Sequence, residues 1–327
     1  PLPAAITTTS TGNDMNTSFR APMHPVFRMA QIIAARLWRP VALALVALLL
    51  SACSALQLGY NQAPSLLYWW VDAYADLDDA QSVRLRQDID RYVAWHRQQE
   101  LSGYAARLRQ WQALTTGPVT ADQVCAQFDA LRNAAERLLR QGAEPMARLA
   151  LTLSPAQQQH LQSHLAKTNR DFEKEFLRGD TSERLERRLT RTVDRYEDFY
   201  GALNDAQVAR LRQGLQNSPF DPVQAMADRR KRQAELLGLI RQIQAQQTTP
   251  LTPESPVPRA ATEAVRDWLL RGLAAPSAAG GDALRWERHG CQSFAELHNS
   301  STAAQRAHVV QVLQRYESDL RALARQD

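Results

Sequence analysis

Glycine is scarce in this chain, thirteen residues in 327, and the scarcity excludes several chemistries. No glycine-rich phosphate loop, Gly-x-Ser-x-Gly elbow or His-Glu-x-x-His pair occurs, so three common catalytic frameworks lack their carriers. Charge of one sign is also in short supply. The formal net charge is +5, but Arg20, Arg28, Arg36 and Arg39 against Asp14 all precede Cys53. From Cys53 onward 35 basic residues face 33 acidic ones, a balance that leaves no electrostatic footprint for nucleic acid. Long apolar runs reduce to one, Val41–Leu50, too short to span a bilayer comfortably. Cysteine is limited to Cys53, Cys125 and Cys291. The glycine-poor composition argues against an enzyme, and no metal or cofactor is expected.

What is present begins with an address. The apolar run follows Arg36 and Arg39 and ends in Leu50-Ser51-Ala52-Cys53. A charged start, a short greasy core and small residues before the cut describe a secretory signal. Its last four residues resemble the bacterial lipobox. The resemblance implies that the Cys53 thiol carries diacylglycerol, that the signal is cut before it, and that the new amino terminus is acylated. Ser54, where inner-membrane lipoproteins tend to carry aspartate, then favours the outer membrane, with the body facing the periplasm. Met29 gives a compact signal, residues 29–52, and Met23 is the other candidate start. Residues 1–28, which open on Pro1 and lack periodicity, read as an over-extended start. With Cys53 reserved for lipid, Cys125 and Cys291 form an even pair in an oxidising compartment, and a disulfide is expected. Two separately buried thiols are the alternative.

Ala, Leu, Gln, Arg and Glu dominate the rest, all strong helix formers. Val309, Leu313, Tyr316, Leu320 and Leu323 step by 4, 3, 4, 3. Leu101, Tyr104, Leu108 and Trp111 keep the same spacing, as do Val124, Phe128, Leu131, Ala135 and Leu138. Such stripes lay one apolar face along a helix, and no alternating β-branched run competes. The expected fold is all-α, antiparallel hairpins packed as a bundle.

One start signal recurs: a capping residue followed three positions later by glutamine. It falls at Asp78–Gln81, Thr120–Gln123, Ser154–Gln157, Asn204–Gln207, Asp221–Gln224 and Thr302–Gln305. The cap accepts from the N3 amide while glutamine reaches back to the cap amide. Uneven spacing excludes a clean solenoid. The chain divides into a lipidated tether (53–63), a helical body (64–246), a linker with four prolines (247–259) and C-terminal helices (260–327) that pack back on the body.

Two stretches resemble a family. The first runs from Leu58-Gly59-Tyr60-Asn61-Gln62-Ala63-Pro64 through Tyr68-Trp69-Trp70 to Leu77-Asp78-Asp79-Ala80-Gln81, and continues in Trp95-His96-Arg97-Gln98-Gln99-Glu100-Leu101. The second is Phe294-Ala295-Glu296-Leu297-His298-Asn299 with Thr302-Ala303-Ala304-Gln305-Arg306. They are similar to proteobacterial lipoproteins grouped as the domain of unknown function DUF6279, a resemblance that brings no reaction with it. Leu153-Ser154-Pro155-Ala156-Gln157 and Leu203-Asn204-Asp205-Ala206-Gln207 also approximate the Leu-Thr-x-x-Gln motif of periplasmic helical chaperones of the Spy and CpxP type. A capping box alone generates that pattern.

Candidate surfaces remain. Arg184, Arg188, Arg191 and Arg195 step by 4, 3, 4 and line one helix face, which could grip anionic headgroups or an acidic partner. Glu183, Glu186, Asp194 and Glu197 interleave with them, so a self-paired, solvated face is the plainer expectation. Arg229, Arg230, Lys231 and Arg232 make a second cluster. Trp69 and Trp70, with Tyr68 and Tyr74, suit a membrane interface, a groove, or a core where an N-terminal helix docks, and core packing of some of the four is the favoured expectation. His160 and His164 stand four apart, but no acidic or cysteine partner sits near them in sequence, so solvent-facing histidines are favoured over a metal pair. His96 falls on the stripe Leu85, Ile89, Tyr92 and reads as a boundary histidine bonded to a neighbouring helix. The expected role is that of a non-catalytic binding or scaffold lipoprotein, held to the membrane through Cys53 and serving envelope proteins. A holdase chaperone is the alternative, and an envelope enzyme the third class.

Overall fold

The computed structural model describes residues 55–247, 251–252, 254–273 and 281–326. The signal segment, Cys53 and Ser54 lie outside the described residues. All regular structure among the described residues is helical, so the chain is all-α. In order the helices are α1 (Ala55–Asn61), α2 (Ala63–Ala75), α3 (Asp79–Gln99), α4 (Leu101–Leu114), α5 (Ala121–Thr152) and α6 (Pro155–Phe176). Then follow α7 (Thr181–Tyr200), α8 (Asp205–Gln216), α9 (Pro222–Ala245), α10 (Arg259–Arg271), α11 (Gly281–Asn299) and α12 (Ala303–Leu323).

Five of the six glutamine signals are complete capping boxes, opening α3, α5, α6, α8 and α12. The sixth is half a box. Asp221 accepts from the Val223 and Gln224 amides, while Gln224 turns instead to Asp228. A further box, Asp180 with Glu183, opens α7; it carries the same signal with glutamate in place of glutamine.

Four of these glutamines also work in pairs. Gln81 Nε2 donates to Gln157 Oε1 at 3.2 Å and to the Thr152 carbonyl at 2.9 Å. Gln157 Nε2 returns the bond to Gln81 Oε1 at 2.6 Å and donates to the Asp76 carbonyl at 2.7 Å. The arrangement recurs at the other end of the fold. Gln207 and Gln305 bond each other at 2.9 and 3.1 Å and reach the Ser300 and Ala202 carbonyls at 3.3 and 3.0 Å. Each clasp therefore ties two helix starts, α3 to α6 and α8 to α12, with every amide hydrogen used.

The spine is α5, 32 residues and about 48 Å long. Its C-terminal half supplies Ala143, Ala147 and Leu151 to a cluster with Ile243 of α9 and Ala261, Val265 and Leu269 of α10. Its N-terminal end places Val124 and Cys125 against Cys291 and Ala295 of α11. The expected stripe on α5 is buried at Val124 and half-buried at Ala135 and Leu138, whereas Phe128 and Leu131 are 42% and 45% exposed. Smaller clusters complete the core: Ala75, Leu153, Leu161 and Ile240 join α2, α6 and α9. Leu189, Leu211 and Leu297 join α7, α8 and α11, and Tyr200, Val309 and Leu313 join α7 and α12.

One boundary differs from the sequence reading. The expected tether is helical from Ala55, and Gln57 of α1 donates to Asp319 of α12 at 2.8 Å. The proline-rich linker is non-helical where described, yet it is packed down. Leu251 and Val257 lean on the α5–α9–α10 cluster, and Arg148 donates to the Ser255 carbonyl at 2.6 Å. Cys125 and Cys291 are bonded, Cα to Cα 5.5 Å, and residues from Ala55 onward form one compact unit.

Candidate binding groove

Helix α7 shows how the arginine stripe is used. Arg184 turns back to its own helix start, bonding the Gly179 carbonyl at 2.7 Å and the Thr181 hydroxyl at 3.1 Å. The other three face a groove of about 750 Å³ bounded by α6, α7, α8 and α11. Pairing with the interleaved acids is absent for them, although Arg195 is exposed, as a solvated face would have it. Glu183 is spent on its capping box, Glu186 pairs with Arg212, and Glu197 accepts from the Leu203 amide. None of the interleaved acids neutralises Arg188 or Arg195.

The groove walls are aromatic. Phe172 and Phe176 come from the end of α6, Phe220 from the loop after α8, Phe128 from α5 and Trp286 from α11. Arg188 lies over the Phe220 ring at 5.1 Å and Arg191 over Phe176 at 5.3 Å. Cation–ring contact of this kind holds a guanidinium without neutralising it. Arg191 has a carboxylate partner in Glu175, and Arg132 has Asp129 and Glu287. Arg188, Arg195 and Arg210 make no ion pair with any described residue, although all three line the groove. Burial and the neighbouring Arg191 charge push the Arg188 pKa below its ordinary value. The site therefore holds a half-buried cation that faces an aromatic ring and has no carboxylate bonded to it.

Hydrogen-bonding groups sit on the α11 side. His289 Nε2 lies 2.8 Å from the Gly214 carbonyl and 3.4 Å from the Ser293 hydroxyl. A Cβ at Gly214 would stand 3.3 Å from that hydroxyl, so the missing side chain sets the close approach of α8 to α11. Tyr196, packed below the arginines against Phe294, has its pKa pushed up to about 12 by burial. Sequence reasoning found three of the arginines but missed Arg210, Phe220 and Trp286. They converge from separate helices, and no local spacing marks them.

The remaining candidates have other employment. His160 contacts the Ala73 carbonyl at 3.1 Å and His164 packs on the Tyr74 ring at 4.1 Å. Among the described residues no group of three or more His, Cys, Asp and Glu side chains is gathered to hold a metal ion. His96 bonds the Tyr60 hydroxyl of α1 at 2.9 Å, as a boundary histidine should. The second basic cluster splays apart: Arg229 binds Asn169 and Thr168, Arg230 pairs with Glu173, and Arg232 lies over Trp268. Tyr68 is buried, whereas Trp69 and Trp70 are each 62% exposed.

Fold and groove together define an all-helical protein carrying an arginine–aromatic cleft. Residues 73–250 match the model of a family of unknown function, DUF6279, and the chain belongs to that family. The matched stretch contains the Trp95–Leu101 segment; Leu58–Trp70 and Phe294–Arg306 fall outside it. No curated protein and no solved structure gives a match.

Proposed function

We propose that this is a lipid-anchored binding protein of the bacterial outer membrane, facing the periplasm, that acts without catalysis. Its groove receives an acidic, aromatic-flanked segment of another envelope protein. The observation that carries the reading is the cleft in which Arg188, Arg195 and Arg210 form no ion pair with a described residue; aromatic rings line it, together with Glu287, which is paired to Arg132, and Glu296. Guanidinium groups suit carboxylates because their planar forks bond them two hydrogens at a time. Arg188 and Arg195 stand about 10 Å apart along α7, two helical turns, room for two separate carboxylates of a bound segment.

A holdase role is the second reading. It is favoured by the exposed Leu58, Leu66, Trp69 and Trp70 and by the Leu-x-x-x-Gln likeness.

The test is photo-crosslinking in cells from a probe amino acid at Phe128, on the groove wall. One or two discrete adducts that vanish in Arg195→Glu/Arg210→Glu, both exposed positions, support the acidic-segment reading. Adducts indifferent to that charge reversal overturn it. A broad smear of exported proteins assigns the molecule to the holdase class instead.

A further inference from the structure

Helix α2 is apolar on two opposite faces. Tyr68, Val71 and Ala75 turn inward, with the Tyr68 hydroxyl donating to Ser82 at 3.0 Å. Leu66, Trp69, Trp70 and Ala73 follow the i, i+3, i+4, i+7 spacing and share the outward face. Leu66 is 60% exposed there and each tryptophan 62%. Of the fourteen most exposed large apolar side chains among the described residues, five lie between Leu58 and Trp70. Surface apolar groups scattered singly need no explanation; a run of them does.

The stretch is also free of charge. Ala55–Val71 contains no Asp, Glu, Lys, Arg or His. Asp72, the first acid after it, is committed to the Leu77 amide at 3.0 Å. Indole rings on an uncharged helix suit the headgroup boundary of a bilayer, where the ring is buried and the N–H stays wet.

Position in the chain decides between a bilayer and a protein. Cys53 precedes Leu58 by five residues, at most about 18 Å of extended chain. A lipid on Cys53 therefore brings this face to the membrane surface whatever else binds. We infer that the outward face of α1 and α2, formed by Leu58, Leu66, Trp69 and Trp70, rests in the interface of the bilayer that holds the lipid anchor. This rests on the anchoring reading above and is independent of the groove. It makes the body a docked particle with one side fixed to the membrane.

The experiment uses the full chain purified from envelopes and reconstituted in phosphatidylethanolamine–phosphatidylglycerol vesicles with brominated acyl chains. Intact mass reports the lipid on Cys53 separately. Six tryptophans follow Cys53, so docking should quench about a third of the emission, as two of six indoles reach the interface. Trp69→Phe/Trp70→Phe should lose that quenching with its circular dichroism unchanged. Equal quenching in both proteins, or none in either, overturns the inference. If the mass shows no lipid, the anchoring reading fails, and the same quenching with the protein simply added to vesicles still decides the face. Tryptophans that stay unquenched by lipid but become shielded by an unfolded client give the face to clients and overturn membrane docking.

Discussion

His298 has no exposed surface, yet it joins three elements. From α11 its Nδ1 meets the Tyr200 hydroxyl of α7 at 2.8 Å, and its Nε2 meets the Gly117 carbonyl, between α4 and α5, at 2.9 Å. A carbonyl can only accept, so Nε2 carries the proton and Nδ1 accepts from Tyr200. The neutral ring satisfies both bonds, whereas the charged ring would donate to the Tyr200 hydroxyl and leave that hydroxyl's own proton without this acceptor. Burial pushes the His298 pKa below its ordinary value, aided by the Arg306 charge and opposed by the Gly117 carbonyl. The folded state thus binds its proton later than the unfolded chain does. Stability from this group is level above the unfolded value, about 6.5, and falls as pH drops below it, by up to about 1.4 kcal/mol per pH unit until the folded pKa is reached. Urea titrations across that range should show the acid-side loss in the wild type and a smaller one in His298→Gln. The variant should also be weaker at neutral pH by about 1–3 kcal/mol, the cost of imperfectly satisfied buried partners. An unchanged acid limb in the variant would place its source elsewhere, His96 being the next candidate because burial lowers its pKa too.

At the scale of elements, the choice between glutamine and glutamate in a capping box follows from what the box faces. In a solitary box the N3 side chain only accepts, and Glu183 fills that role at α7. In a clasp the same side chain must also donate twice, which a carboxylate cannot do. Gln81→Glu would set a charge against Gln157 Oε1 and the Thr152 carbonyl, with Gln81 only 4% exposed. The expected loss is about 3 kcal/mol or more, easing as pH falls and the acid protonates. Gln123→Glu, in a solitary and exposed box, should be neutral or slightly stabilising, since an acid at a helix start is favoured. Equal effects at the two sites in chemical denaturation would dissolve the distinction. This pair also shows what was legible beforehand. The boxes are local chemistry within four residues, so five complete ones and half of a sixth could be read directly. Their pairing joins residues 76 and 98 apart, and no short-range pattern encodes it. The groove divides the same way: the stripe of arginines on α7 is a periodicity, whereas its aromatic walls arrive by tertiary packing from four other places.

For the whole molecule, the question is what keeps α11 against α5. Few apolar residues do so, chiefly Val124, Cys291 and Ala295, and the Arg132–Glu287 pair adds a polar link. The Cys125–Cys291 bond joins positions 166 residues apart and fixes this contact, the one that holds Trp286 and His289 along the groove. On the chain-entropy account a closure this long contributes about 3–5 kcal/mol. Cys125→Ala/Cys291→Ala should lower the denaturation midpoint accordingly. Its effect should also be unequal through the fold. Amides of residues 281–299 should exchange faster, because the covalent link is gone and little apolar surface replaces it. Amides of α3 and α6 should keep their protection, since the Gln81–Gln157 clasp and the Ala75–Leu161 cluster do not involve α11. On the proposed acidic-segment reading, a loosened α11 wall would weaken capture even with all of the groove arginines in place, so crosslinks from Phe128 should fall in parallel. Uniform acceleration of exchange across all helices would mean instead that the fold opens as one cooperative unit, with the disulfide acting on the unfolded chain alone.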